Sequence, residues 1–113
     1  MSAGLVNLGP ASRIPLGEGR MFVVGERTVA VFRGRGGQVF ATQALCPHRQ
    51  GPLADGLTGG GRVVCPLHGL QFDLESGQSV GRACGSLETY PVQVSESGDL
   101  LVGEPESGRN EAA

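Results

Sequence analysis

The sequence predicts an all-β fold of antiparallel strands, either a small sandwich or a small barrel. Short apolar segments alternate with turns that lie too close together for helices of ordinary length. The 113 residues include twenty Gly and seven Pro, the residue types that tight turns favour. No segment longer than about ten residues has helical periodicity. These three observations favour strands over long helices.

The first half of the chain is typical of consecutive hairpins. Residues 28–32 read Thr-Val-Ala-Val-Phe, and such a run of β-branched and apolar side chains is characteristic of a strand. Gly25-Glu26 precedes this segment and a glycine-rich stretch at residues 34–37 follows it, so both ends have turn chemistry. We therefore predict an antiparallel meander with strands at residues 20–24, 27–32 and 38–42.

The second half of the chain continues the same pattern, with glycine-containing turns between four further segments. Tyr90, Val92 and Val94 alternate with other residue types, which predicts that one face of their strand packs on the core. Pro91 cannot donate a ladder hydrogen bond, so we expect that strand at a sheet edge. The predicted strands are residues 62–65, 70–74, 87–94 and 100–102.

A single domain is expected for a chain of this length. We assign residues 1–103 to it and residues 104–113 to an acidic tail. The tail contains one arginine and three glutamates, which accounts for the whole net charge of −2. Because it has no large apolar side chain to anchor it, we expect it to be disordered.

Charge and hydropathy argue against two classes of protein. The chain has no lysine and no stripe of arginines alternating with aromatics, so it lacks the positive surface of a nucleic-acid-binding protein. No apolar run approaches the roughly 18 residues of a membrane span. Residues 1–15 lack the charged start and apolar stretch of a signal peptide. We therefore expect a cytoplasmic protein that binds neither nucleic acid nor membrane.

Two motifs of cysteine and histidine carry the chemistry. Cys46-Pro47-His48 is followed after sixteen residues by Cys65-Pro66-Leu67-His68, and these motifs contain both histidines of the chain. The prolines and the neighbouring glycines place each motif in a turn between apolar strands. Each turn would then offer one thiolate and one imidazole to a metal centre. Two unrelated buried histidines and two core thiols would not explain this spacing.

Two kinds of metal centre fit these four side chains. Zinc binds two Cys and two His tetrahedrally in structural modules, although zinc fingers usually present a Cys pair before a His pair. A [2Fe-2S] cluster can instead be held by two cysteines on one iron and two histidines on the other. The mixed order of ligands favours the cluster, and the Cys2His2 zinc-binding module is the alternative.

The sequence resembles the Rieske [2Fe-2S] family, whose Cys-x-His and Cys-x2-His motifs are filled by Cys46, His48, Cys65 and His68. The resemblance extends over roughly residues 5–102 and implies a cluster-binding subdomain of two loops on an antiparallel β scaffold. It also implies a protein that carries single electrons and has no catalytic residues of its own. Further positions that fit the family are Phe40-Ala41, Asp55-Gly56, Val63-Val64, His68-Gly69, Phe72-Asp73, Ser76-Gly77 and Tyr90-Pro91-Val92.

This sequence differs from two branches of the family, the high-potential members and the oxygenases, and the differences limit the role that the resemblance implies. High-potential members add a disulfide between the loops, where this chain has Gly51 and Leu67. They also place Ser and Tyr hydroxyls near the cluster, where this chain has Leu70 and Phe72. The resemblance therefore implies a potential toward the lower end of the roughly −150 to +300 mV Rieske range. Rieske oxygenases need two more histidines for a mononuclear iron, and this chain has none left.

Among electron carriers, the loop at residues 46–53 is similar to that of the small subunit of the NAD(P)H-dependent assimilatory nitrite reductase. Cys84 ahead of Tyr90-Pro91-Val92 fits the same group. Ferredoxins that serve ring-hydroxylating dioxygenases usually have Thr in place of Pro47 and an acidic residue in place of Gln50. The resemblance thus implies a nitrite reductase small subunit with a large-subunit partner. A stand-alone Rieske ferredoxin, working between a reductase and an oxygenase, is the alternative.

Two further residues near the motifs have open roles. Arg49 directly follows His48, and it either docks an acidic surface of a partner or is a solvated loop charge. Cys84 is expected to be a small buried residue packed over the cluster. The alternative for Cys84 is a redox-sensitive thiol, with Arg82 as the positive neighbour that such a thiol needs.

Overall fold

The computed structural model describes residues 5–45, 52–65, 71–80 and 86–103. In these ranges the regular structure is strands, apart from two three-residue 3-10 helices at Ala11–Arg13 and Leu53–Asp55. The strands are β1 (Val6–Pro10), β2 (Glu18–Val24), β3 (Arg27–Arg33), β4 (Val39–Gln43), β5 (Leu57–Gly59), β6 (Arg62–Val64), β7 (Gln71–Asp73), β8 (Ser79–Val80), β9 (Thr89–Tyr90), β10 (Val92–Val94) and β11 (Asp99–Val102).

The strands form three antiparallel sheets. Their strand orders are β1-β11-β10, β2-β3-β4-β9 and β5-β6-β7-β8. Over the described residues each sheet is open, so the barrel that the sequence left possible is not formed. The prediction of an all-β antiparallel fold is confirmed.

The second sheet lies between two cores, and β3 supplies side chains to both. Val29 and Val31 belong to a core shared with the first sheet, and Ala30 and Phe32 belong to a core shared with the third. All four are at most 1% exposed. A strand that is buried on both faces reads as a continuous apolar run, which explains why residues 28–32 show no alternation of polar and apolar types.

The first core is enclosed by the longest strands. β2 and β3 are each seven residues long and pair in unbroken register from Glu18↔Arg33 to Val24↔Arg27. Their turn needs Gly25, whose φ of +64° lies in the left-handed region. From the other side, β11 contributes Leu100 and Val102, which are 1% and 0% exposed.

The second core is enclosed by shorter strands, since those of the third sheet are only two or three residues long. Its members come from β3, from the Leu53–Asp55 helix, from β6 and β7 with the residue that directly follows each, and from the segment that leads into β9. They are Ala30, Phe32, Leu53, Val63, Cys65, Phe72, Leu74 and Leu87.

The predicted strand at residues 87–94 is wrong in one respect, because it is divided at Pro91. β9 pairs with β4 in the second sheet, whereas β10 pairs with β11 in the first. Tyr90 is buried, as the alternation predicted. Val94 was predicted to pack on the core as well, but it is 44% exposed. Both pieces lie at the edges of their sheets. This confirms the prediction made from Pro91, which has no N–H to donate to a neighbouring strand.

Three strands had no counterpart in the sequence prediction, namely β1, β5 and β8. No helix in the described part of the chain is long and apolar enough to cross a bilayer. The proposed tail at residues 104–113 lies outside the described residues, so its predicted disorder stays a prediction.

Candidate metal centre

Of the four predicted ligands, the structure describes Cys65. This residue directly follows β6 and is 1% exposed, inside the second core. Cys46, His48 and His68 lie outside the described residues, as do Arg49, Cys84 and Arg82. The first ligand-bearing segment is residues 46–51 and the second is residues 65–70. We call the described residues on either side of a segment its stem. The structure therefore defines the candidate centre through Cys65 and through these stems.

The stem of the first segment is closed by backbone pairing. Leu45 and Pro52 form an isolated antiparallel bridge on either side of residues 46–51. Next to it, the N–H of Leu53 donates to the carbonyl of Ala44 at 3.0 Å. Leu53 is fully buried, so the return of this segment is anchored in the second core.

The stem of the second segment is the β6–β7 hairpin. Val64 pairs with Gln71 and Val63 pairs with Phe72, and Cys65 and His68 lie between these two strands in the sequence. Phe72 is fully buried in the core that contains Cys65. Its ring has no hydroxyl, so this position offers no hydrogen-bond donor.

The two stems meet at Gly56. A Cβ built on this glycine would collide with the carbonyl oxygen of Val64 and lie 3.2 Å from that of Leu53. Only a glycine permits such a close backbone approach. Gly56 therefore lets the end of the Leu53–Asp55 helix pack against the strand that leads into Cys65, and the sequence marked this residue through the Asp55-Gly56 turn.

A third stem adjoins the second core. Gln78 and Ser86 form an isolated bridge, and the N–H of Leu87 donates to the carbonyl of Gly77 at 2.6 Å. Gly77 has a φ of +81°, and a Cβ there would collide with the Leu87 carbonyl oxygen. Residues 81–85, which include Cys84 in the sequence, start and end at this stem.

Asp73 fixes the turn between β7 and β8. Its Oδ1 accepts hydrogen bonds from the backbone N–H groups of Glu75 at 2.9 Å and Ser76 at 3.0 Å. These bonds, chiefly the one from Ser76, lower the pKa of the Asp73 carboxyl, and the positive charge of Arg62 acts in the same direction. The charged carboxylate therefore stabilises the turn that places Gly77 beside Leu87.

A polar network joins β4 to the segment before β9. Gln43 donates its backbone N–H to the Glu88 carbonyl at 2.9 Å. The Glu88 carboxylate in turn lies 3.4 Å from Arg27 and accepts a hydrogen bond from the Tyr90 hydroxyl at 3.3 Å. Burial raises the pKa of that hydroxyl, so Tyr90 remains a neutral donor. No sequence pattern indicated Gln43, and Glu88 stood in the family-like stretch at residues 87–92 without a role.

The described surroundings fit the predicted cofactor. Cys65 lies in a buried apolar core, where a cluster sulfur ligand would be shielded from water. The two stems converge at Gly56, as two ligand-bearing segments that share one centre require. The donor set of two thiols and two imidazoles is that of a centre with two cysteines on one iron and two histidines on the other.

Comparison with known proteins agrees with this picture. The Rieske [2Fe-2S] domain family matches residues 4–91. The ferredoxin component of the alkene monooxygenase system of Xanthobacter autotrophicus is 37% identical over 88 residues, which are 77% of this chain and 70% of that protein.

Two solved structures have closely similar backbones. The ferredoxin of carbazole 1,9a-dioxygenase from Nocardioides aromaticivorans IC177 has a TM-score of 0.81 and 27% identity, over 89% of this chain and 98% of that one. A Mycobacterium tuberculosis protein assigned as an NADH-dependent nitrite reductase small subunit has a TM-score of 0.84 and 23% identity, over 92% of this chain and 97% of that one. At that lower identity the second likeness concerns the fold alone.

Proposed function

This chain belongs to the Rieske [2Fe-2S] family and carries a Rieske-type cluster, and from that premise we propose that it is a ferredoxin passing single electrons from a reductase to an oxygenase. The observation that carries the proposal is the 37% identity to an alkene monooxygenase ferredoxin over 70% of that protein's length. The likeness to a dioxygenase ferredoxin supports the same role.

We propose Cys46 and Cys65 as the ligands of one iron and His48 and His68 as the ligands of the other. Such a cluster, when bound, takes up and releases one electron. The chain's own contribution is to bury the Cys65 side chain and to hold the stems of both ligand-bearing segments together at Gly56. Hydrogen bonds and burial around such ligands set the potential of the centre.

The oxygen chemistry would belong to a partner. Both histidines of the chain are assigned to the cluster, so no imidazole remains for the mononuclear iron of an oxygenase. Membership of the family also decides against the Cys2His2 zinc module. We place the protein and its redox partners in the cytoplasm, which stays a prediction.

A second candidate role is the small subunit of an NAD(P)H-dependent nitrite reductase. The loop sequence supports it, because Pro47 and Gln50 depart from the residues usual in dioxygenase ferredoxins. In that role the partner would be the large subunit that reduces nitrite, and this chain would relay electrons within the complex. The two roles share the cluster and differ in the protein that receives the electron.

Reconstitution distinguishes the two roles. The purified holoprotein would be added to an NADH-dependent ferredoxin reductase and a Rieske monooxygenase or dioxygenase, and separately to a nitrite reductase large subunit. We expect electron delivery to the oxygenase and no effect on nitrite reduction. Stimulation of nitrite reduction alone would reverse the assignment.

The cysteines provide matched controls for this experiment. We expect Cys65→Ala to abolish both the visible absorption and electron delivery, because it removes a ligand. Cys84→Ala should keep both, because Cys84 is outside the proposed ligand set. A Cys84→Ala protein without a cluster, or a Cys65→Ala protein with one, would contradict the proposed ligands.

A further inference from the structure

Gln43 uses both ends of its side-chain amide to bind backbone. Its Oε1 accepts a hydrogen bond from the N–H of Glu88 at 2.7 Å, and its Nε2 donates to the carbonyl of Leu45 at 2.8 Å. The donor and the acceptor of the amide are thus each matched to a partner of the opposite kind, which fixes the orientation of the group.

These two bonds connect two of the stems described above. Leu45 is the residue immediately before Cys46 and forms the bridge that closes the first segment. Glu88 follows Leu87, which is held by Gly77 at the stem of residues 81–85. One side chain therefore ties Leu45, directly before the first ligand segment, to Glu88, which follows the stem of residues 81–85.

The position of Gln43 in the sheet explains why such a tie is needed. It is the last residue of β4, where it pairs with Val29. Pairing with β9 ends at Thr42↔Thr89, and the backbone hydrogen bond from the Gln43 N–H to the Glu88 carbonyl is the contact that follows it. Beyond Gln43, the described residues before Cys46 are held to other backbone by the Leu45↔Pro52 bridge and by the hydrogen bond from the Leu53 N–H to the Ala44 carbonyl.

We propose that Gln43 is a positioning residue for the cluster, because it holds the carbonyl of Leu45, the residue that directly precedes the proposed ligand Cys46 in the sequence. This inference rests on the proposed assignment of Cys46 as a ligand. Removing groups that orient metal ligands without touching the metal typically lowers metal affinity or activity about 10- to 100-fold. A bond to the residue next to the ligand is expected to act at the lower end of that range.

Two substitutions separate positioning from a purely structural role. Gln43→Glu keeps an oxygen that can accept from the Glu88 N–H but replaces the donor to Leu45 with a second acceptor. Gln43→Met removes both bonds and adds no charge. The variants therefore share the loss of the Leu45 bond and differ in charge and in the Glu88 bond. Gln93→Glu is the matched control, since Gln93 is exposed on β10 and pairs with Leu101 in the first sheet.

The experiment compares the holoproteins by the rate of cluster loss to an iron chelator, by the EPR spectrum after reduction and by the melting temperature. We expect Gln43→Glu and Gln43→Met to lose the cluster about 10-fold faster than the wild type. We also expect the EPR lines of both variants to be displaced from their wild-type positions by the same amount. Gln43→Met should in addition melt at a lower temperature. Gln93→Glu should match the wild type in all three measurements.

The outcomes assign failure to one proposal or the other. Wild-type cluster retention and EPR lines in Gln43→Glu would overturn the positioning role, even if both variants melted at lower temperatures. An altered EPR spectrum in Gln43→Glu alone would also overturn it, because the added charge would then be the cause. A wild-type protein without a [2Fe-2S] signal would instead overturn the proposed function on which the inference rests.

Discussion

The two cores of the molecule are built differently. The first lies between two sheets and is lined by strands such as β2 and β3, which pair without interruption over seven residues each. The second lies against a sheet of two- and three-residue strands and depends on close backbone contacts at Gly56 and Gly77. The first core is thus built on long, continuously paired strands that stabilise the fold. The second core brings three stems together beside Cys65.

The comparison shows how this small protein separates stability from positioning. Regions with short strands and few ladder hydrogen bonds open locally at lower free energy than the centre of a long-stranded sheet. Since β3 contributes to both cores, the scaffold and the site are still joined through one strand. We therefore expect changes in either core to reduce stability, but only changes in the second to affect the cluster.

The largest expected effect comes from a matched pair of leucines. Leu100 is 1% exposed in the first core and Leu87 is 4% exposed in the second. Truncating either to alanine should lower the free energy of unfolding by about 2–5 kcal/mol, the usual cost of such a cavity. Denaturant unfolding measures this loss, and the rate of cluster release to a chelator should rise for Leu87→Ala only.

A Leu100→Ala protein that releases its cluster as fast as the Leu87→Ala protein would contradict this separation. The two cores would then act as one cooperative unit.

A smaller effect is expected at the contact that joins the two ligand stems. Gly56→Ala places a methyl group against the Val64 carbonyl oxygen, and forced crowding of this kind costs about 1–3 kcal/mol. Gly59→Ala is the control, because a Cβ at Gly59 has no atom within 4 Å. Gly56→Ala should change both the unfolding curve and the cluster content, whereas Gly59→Ala should stay near the wild type in both. Equal behaviour of the two variants would show that the close contact at Gly56 is unimportant.

The smallest effect is expected at Asp73, and it depends on pH. Hydrogen bonds from Ser76 and Glu75 lower the carboxyl pKa in the folded state, so the unfolded state binds a proton more readily. The stabilisation is therefore complete above the unfolded pKa of about 3.9 and is lost as pH falls through the lower folded value. Because Asp73 is partly exposed and its charge is screened by solvent, we expect Asp73→Ala to cost less than about 1 kcal/mol at neutral pH.

Urea unfolding from neutral pH to below the unfolded pKa measures the difference in free energy of unfolding between the wild type and Asp73→Ala. This difference should shrink as the carboxyl is protonated. A difference that stays constant with pH would mean that the charge of Asp73 does not stabilise the turn.

Much of the fold could be predicted from local sequence, and the errors have physical causes. The β2–β3 hairpin was recognisable because Gly25-Glu26 is a two-residue turn beside β-branched strands. The strand across Pro91 was predicted as one piece, since alternation in the sequence does not reveal that a chain changes sheets. Strands as short as β5 and β8 contain too few residues to establish a period.

The candidate site was predictable only where its chemistry is unusual. Cysteine and histidine at fixed spacing indicate a metal, so the ligands could be proposed from sequence. Gln43 could not be, because an amide that hydrogen-bonds backbone has no characteristic spacing and its partner Glu88 is 45 residues away. Such contacts become visible only when the register of β4 and β9 is known.

The central claim is that both histidines ligate the cluster, and the composition of the chain permits a direct test. His48 and His68 are its two histidines, so ¹⁵N-histidine labelling introduces the isotope at these positions alone. Electron–nuclear double resonance of the dithionite-reduced protein should then show two strong ¹⁵N couplings to the cluster spin. A reduced cluster without such couplings, or a colourless protein without an EPR signal, would contradict the account.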